Sequence, residues 1–151
     1  MKCVNHEAVI DSIMEQYEKA CMDMSVVYGP YSVGKTYIAK ELQNRLTSNH
    51  VVYLLGRLAN ESVHIRSIER GLDMPSGSFR TLEEALRRVF QMSVDKHMMF
   101  IIDDYPALVD TAPQVPILLR ELMETYRDYG KMFVLLMGTH VDELKGRILG
   151  E

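Results

Sequence analysis

The sequence predicts an α/β fold with a mostly parallel sheet, and three observations predict it. Short apolar runs alternate with segments of helical periodicity along the chain, the pattern of a sheet whose crossovers are helices. One strand-to-helix junction carries Gly29-Pro30-Tyr31-Ser32-Val33-Gly34-Lys35-Thr36, which fits the phosphate-binding loop G-x-x-x-x-G-K-[ST]. A later apolar run, Met98–Ile102, ends in Asp103-Asp104. That puts acids at the carboxyl end of a strand, the edge where such sheets bind ligands.

In chain order, Asn5 caps a first helix over residues 5–21, with Val9, Ile10, Ile13, Met14 and Tyr17 on one face. Met24–Tyr28 is a short buried strand leading into the loop. The helix after the loop runs from about Gly34 to Ser48, with Ile38, Ala39, Leu42 and Leu46 at helical spacing. His50–Leu55 is a continuous apolar run, read as a strand buried on both faces. A helix over about Ser62–Arg70 stops at Gly71. Asp73–Ser78 is the clearest loop. Thr81-Leu82-Glu83-Glu84 is a capping box opening a helix to about Asp95, with Leu82, Ala85, Leu86, Val89 and Phe90 inward. After the Met98–Ile102 strand, Tyr105–Val115 reads as a proline-punctuated loop. Pro116 suits the first turn of a helix to about Tyr129. Met132–Met137 is the last strand, closed by Gly138-Thr139-His140.

A length of 151 residues with 47% hydrophobic content fits one domain, residues 1–151, with a real core. The net charge of −4 argues against a generally basic, nucleic-acid-coating surface. Cys3 and Cys21 have no metal or redox spacing and read as free thiols of a reducing cytoplasm. No apolar run is long enough to span a membrane, and no signal-peptide core is visible, so no membrane partner is expected.

The loop residues are the types its chemistry needs. Gly29 and Gly34 let the backbone curl so that N–H groups, including those of Pro30's neighbours Tyr31, Ser32, Val33 and on to Tyr37, face phosphate oxygens. Lys35 sets a compact cation against the β/γ-phosphates. The Thr36 hydroxyl is a hard ligand for Mg²⁺, and the helix adds its positive end. Asp103 would hold Mg²⁺ through a water, and Asp104 would orient or deprotonate an attacking water. Thr139 follows a strand expected between those of the loop and of Asp103, where its hydroxyl would touch the γ-phosphate or that water; an ordinary turn residue is the alternative. His140 reads as a loop histidine. His6, His64 and His97 show no ligand spacing.

Val26-Val27-Tyr28-Gly29 with Val33-Gly34-Lys35-Thr36 resembles the core of the archaeal-type ATPases, relatives of the AAA+ proteins in the signal-transduction (STAND) branch. Asn5-His6-Glu7, Leu82–Leu86, Ile101–Pro106 and Leu136–Thr139 are similar to further segments of that family, so the likeness covers most of the chain. It implies a three-layer α/β/α P-loop NTPase of ASCE type, ATP or ADP with Mg²⁺ as ligands, and base contacts near Val4–Glu7. It also implies that the C-terminal strand and lid region are missing from this chain. The loop strand would then lie at a sheet edge, open to self-association, and nucleic-acid or protein partners would be met through the missing domains. Pro30, Tyr31 and Ser32 stand where the family has arginines, His6 stands at an arginine position, and Asp104 and Thr139 replace Glu and Ser.

Three functions are compatible with these residues. The first is an ATPase core that hydrolyses Mg-ATP slowly as a conformational switch; without an arginine finger, turnover drops by about 10³–10⁵-fold. The second is a nucleotide-binding module with little or no hydrolysis. The third, a P-loop small-molecule kinase, lacks the arginine-rich lid, because residues 73–80 hold only Arg80. Thr139-His140-Val141-Asp142 does not make a guanine motif, which favours adenine.

Overall fold

The structure is a computed structural model describing residues 6–28, 32–46, 50–58 and 60–138, with backbone only at residues 6 and 32–35. Four strands, β1 (Asp23–Tyr28), β2 (Val51–Leu55), β3 (Met98–Asp103) and β4 (Met132–Gly138), form one sheet. Its order is β1-β4-β3-β2 and every pairing is parallel. The helices are α1 (His6–Tyr17), α2 (Ser32–Arg45), α3 (Glu61–Gly71), α4 (Leu82–Met92), α5 (Tyr105–Thr111) and α6 (Val115–Thr125).

Alternation of side chains along each strand sorts the core into two layers. Met99, Ile101, Phe133, Leu135 and Met137 face Ile10 and Ile13 of α1 and Ile38 and Leu42 of α2. Phe100, Ile102, Val134 and Leu136 face the other helices through Ile68, Leu86, Phe90, Leu119 and Leu122. The central strands β3 and β4 are buried at every position, which is why their sequences are uninterrupted apolar runs. Among the described residues β1 is an edge strand, half-buried along its length with Tyr28 exposed. The expected three-layer α/β/α architecture and the expected strand between β1 and β3 are both present.

The elements differ from the sequence reading chiefly at their ends. α1 closes at Tyr17 instead of continuing to residue 21, and Ala20 takes a left-handed φ of 54° in the turn that follows; Asn5, the expected cap, lies outside the described residues. α2 begins at Ser32 and ends at Arg45. α3 is capped by Asn60, whose side chain accepts from the Ser62 N–H. In the capping box, Thr81 Oγ1 accepts from the Glu84 N–H at 3.1 Å, but the Glu84 carboxylate reaches the Arg80 N–H, one residue before the cap.

The one change of type is at 105–111, expected as loop and found as α5. Tyr105, Leu108, Val109 and Ala112 recur at helical spacing and are buried. Pro106 sits in the first turn, where no intrahelical N–H is required of it. The expected loop at 73–80 is pinned from below: the buried Glu69 carboxylate accepts from the N–H groups of Gly77 and Phe79, each at 3.1 Å, and from Arg66 at 3.2 Å. Burial pushes that carboxyl up, but the amides of Phe79 and Ser78 and the Arg66 guanidinium outweigh it and hold the pKa below its ordinary value.

At the opposite edge of the sheet from the loop, His97 joins α1 to β3. Its ring stacks on Tyr17 at 3.7 Å, its Nε2 bonds the Tyr17 carbonyl at 2.6 Å, and the Tyr17 hydroxyl donates to the His97 carbonyl at 3.3 Å. Burial holds the His97 pKa below its ordinary value, and burial does the same to His64. A folded pKa below the unfolded one means that protons favour the unfolded chain. The stability these rings contribute is therefore full above the unfolded pKa of about 6.5 and is lost as pH falls below it. The urea midpoint should drop between about pH 7.5 and about pH 5.5, and His97→Gln should shrink that drop; equal drops in both proteins would refute the assignment to His97.

Candidate functional site

The parallel register brings the polar strand ends to one edge. Val26, Leu136, Ile102 and Leu54 pair across the sheet in a single row. Asp103 is the next residue beyond that row, and Tyr28, two beyond it, ends β1 where the sequence continues into Gly29. With one strand between them, β1 and β3 lie about 10 Å apart, a span that suits a polyphosphate and one hydrated cation. Gly29, Pro30, Tyr31 and Thr139 lie outside the described residues. Ser32, Val33, Gly34 and Lys35 are placed as the opening turn of α2, so that helix presents its N-terminal amides at this edge.

Asp103 is 8% exposed and its carboxylate is held. Tyr53 on β2 donates its hydroxyl to Asp103 Oδ2 at 2.6 Å. Burial first, then this bond to the carboxylate, raises the Tyr53 pKa, so the hydroxyl stays a neutral donor. One carboxylate oxygen is thereby fixed. Tyr53 also lines an open cleft of about 460 Å³ with Thr36, Ala39, Lys40, Gln43 and Asn44. Thr36 and Asp103, predicted from distant parts of the chain, are thus joined to one neighbourhood through Tyr53.

The backbone beside Asp103 is fixed just as closely. The Gly56 N–H donates to the Asp103 carbonyl at 2.7 Å. A Cβ on Gly56 would stand 2.5 Å from the Asp104 carbonyl oxygen and 2.8 Å from Leu108 Cβ, so only glycine fits. Asp104 is half-buried and adopts φ 55°, ψ 52°, the left-handed region, as the N-cap of α5. Asp tolerates that conformation better than larger side chains do. Tyr37 is exposed and its hydroxyl donates to Glu7 of α1 at 3.1 Å. Arg45 adds ion pairs to Glu7 and Asp11 of α1, so α1 and α2 are tied together beside the loop. Sequence reasoning missed Tyr53 and Gly56. The position of Gly56, directly after an apolar strand, was the available signal for the second.

No group of three or more His, Cys, Asp or Glu side chains suited to a metal occurs among the described residues. A phosphate-bound Mg²⁺ needs none, since it draws most of its ligands from water and phosphate. The exposed Thr36 hydroxyl and the Asp103 carboxylate are hard oxygen donors and fit that ion. A separate groove of about 350 Å³ between β1 and α6 is mainly apolar, lined by Met22, Met24, Leu119, Met123 and Leu136, with Arg120, Glu124 and Arg127 also lining it.

Residues 25–151 match the ATPase family associated with various cellular activities. The chain belongs to the AAA family. This agrees with the archaeal-type ATPase resemblance at the level of the AAA+ relatives, and it makes the chain an ATP-binding P-loop module. An uncharacterized protein of Methanocaldococcus jannaschii, MJECL04, is 23% identical over 147 residues, 97% of this chain but 31% of its own length. Among solved structures, Cdc6p from Pyrobaculum aerophilum superposes with a TM-score of 0.67 at 16% identity, covering 97% of this chain and 44% of that one. Drosophila ORC bound to DNA gives 0.63 at 15% identity, covering 95% and 39%. These likenesses establish the fold. The AAA chain described here therefore spans less than half of each of these relatives.

Gly56→Ala should push the Asp103–Asp104 backbone away from β2 and cost about 1–3 kcal/mol of stability, read as a lowered urea midpoint. Tyr53→Phe should leave the fold intact but raise the Mg²⁺ concentration needed for nucleotide binding by several-fold, read by isothermal titration; unchanged Mg²⁺ dependence would show that the hydroxyl does not set the carboxylate.

Proposed function

We propose that this AAA domain binds Mg-ATP and hydrolyses it slowly as a conformational switch. The observation that carries the reading is the held carboxylate of Asp103, one strand away from the phosphate-loop strand and turned by Tyr53. In this reading Lys35 and the backbone N–H groups of residue 29 and residues 31–37 neutralise the phosphates, and Thr36 and Asp103 hold Mg²⁺ directly and through water. When bound, Mg²⁺ supplies charge neutralisation on the phosphates. Asp104 orients the attacking water, and Thr139 lies at the γ-phosphate. Tyr37, tied to Glu7, supports a base site beside the start of α1. The pinned 73–80 loop, with its single arginine, counts against a kinase lid. Among the described residues no helix is long and apolar enough to cross a membrane, and Cys21 is an exposed free thiol, which supports the cytoplasmic reading.

The second reading is a binding module without turnover, and Asp104 favours it. Its side chain is one methylene shorter than Glu and starts from a left-handed backbone. Titration with ATP and GTP, with and without Mg²⁺, should show Mg²⁺-dependent binding that prefers ATP and is lost in Lys35→Ala. Single-turnover hydrolysis should be measurable and should fall at least ten-fold in Asp104→Asn. Binding without measurable turnover in either protein would establish the module instead.

The edge strand β1 supports self-association, since its outer N–H and C=O groups have no strand partner among the described residues. Concentration-dependent elution in size-exclusion chromatography is expected, and a monomer at all concentrations would refute it. Nucleic-acid or protein partners are assigned, in this reading, to the parts of a longer protein that the relatives possess; the ORC structures similar in fold are described as bound to DNA.

A further inference from the structure

The sheet has a second free edge. β2 ends the strand order on the side away from β1, and its pairing to β3 uses one side of the strand. Its outer N–H and C=O groups have no strand partner among the described residues. Two open clefts meet here and share Gln43 and Tyr53. One, of about 460 Å³, runs along α2 past Thr36, Lys40 and Asn44. The other, of about 390 Å³, is lined by Gln43, Val51, Tyr53, Ser67, Arg70 and Gly71.

The second lining locates the opening. α2 packs on one face of the sheet through Ile38 and Leu42, and α3 packs on the other through Ile68. β3 occupies the inner side of β2. Side chains from both helices share one cleft with Val51 and Tyr53 where the two layers meet, at the outer edge of β2. α3 forms a close wall there, since a Cβ on Gly71 would stand 3.1 Å from Val52 Cγ2. β2 is 5 residues long, roughly 17 Å of extended chain. A free strand edge of that length is a template for a short extended segment.

The charge of the lining is one-sided. Lys40 and Arg70 are exposed cations, and no acid lines either cleft. Neither cation is in an ion pair among the described residues. The acids beside them in sequence are engaged elsewhere: Glu41 is paired with Arg45, and the buried Glu69 is paired with Arg66. Backbone pairing at such an edge supplies affinity, and the flanking charges select the partner.

We propose that the outer edge of β2 is a peptide-docking site, which takes an extended acidic segment of a partner protein as an added strand, with carboxylates set against Lys40 and Arg70. The proposal does not rest on nucleotide binding, since neither cation belongs to the phosphate site.

The test follows the backbone amides of Val51–Leu55 by ¹H–¹⁵N NMR in the full chain. The probes are acetyl-(Val-Glu)₃-amide, its basic counterpart acetyl-(Val-Lys)₃-amide, and two forms of the acidic peptide, N-methylated at every valine or at every glutamate. The acidic peptide should shift the β2 amides saturably, and the basic one should bind about ten-fold more weakly. Successive residues of a strand turn their N–H groups to opposite edges, so one N-methylated form should lose binding and the other keep it. Lys40→Glu combined with Arg70→Glu should reverse the preference for the acidic peptide while the amide spectrum stays that of the folded chain. No shift with the acidic peptide, or equal binding of the basic one, overturns the proposal. Equal binding by the two N-methylated forms overturns strand addition. β2 amides that move with protein concentration alone give the edge to a second copy of this chain and overturn a different partner.

Discussion

The contact on which the site depends is between two neighbouring strands, not between protein and ligand. At the carboxyl end of β2, the Gly56 N–H binds the Asp103 carbonyl, and its missing side chain lets the Asp104 carbonyl approach. Three residues earlier, Tyr53 binds the Asp103 carboxylate. One strand therefore fixes both the main chain and the side chain of the acid on the next. A carboxylate already held in direction loses little freedom when it engages a hydrated cation, and a neutral hydroxyl donor does so without adding a competing positive charge. The geometry needed by the proposed chemistry is thus built into strand pairing and does not rely on the ligand to impose it.

The parts of this molecule that were legible in the sequence are those with a fixed local spacing. The runs of β3 and β4 and the inward face of α4 follow from residue order alone, because their physics is a doubly buried strand or a 3.6-residue period. What escaped is what another element decides. The roles of Tyr53 and Gly56 depend on which strand lies beside β3. The helix α5 was hidden by Pro106, whose presence marks a break in most windows but costs nothing in a first helical turn. Helix ends were displaced because tertiary contacts, such as the Tyr17–His97 stack, set where a helix stops.

Asp104 shows how local backbone and chemistry constrain one another. The chain must turn sharply after β3 so that Tyr105, Leu108 and Val109 can enter the core, and it does so at a left-handed residue. Glycine would suit the turn but carries no carboxylate, and glutamate carries a longer reach but fits the turn less well. Aspartate satisfies the backbone and keeps an acid beside Asp103. The shorter reach is then a consequence of the fold, and the slow turnover proposed above is the functional form such a compromise would take.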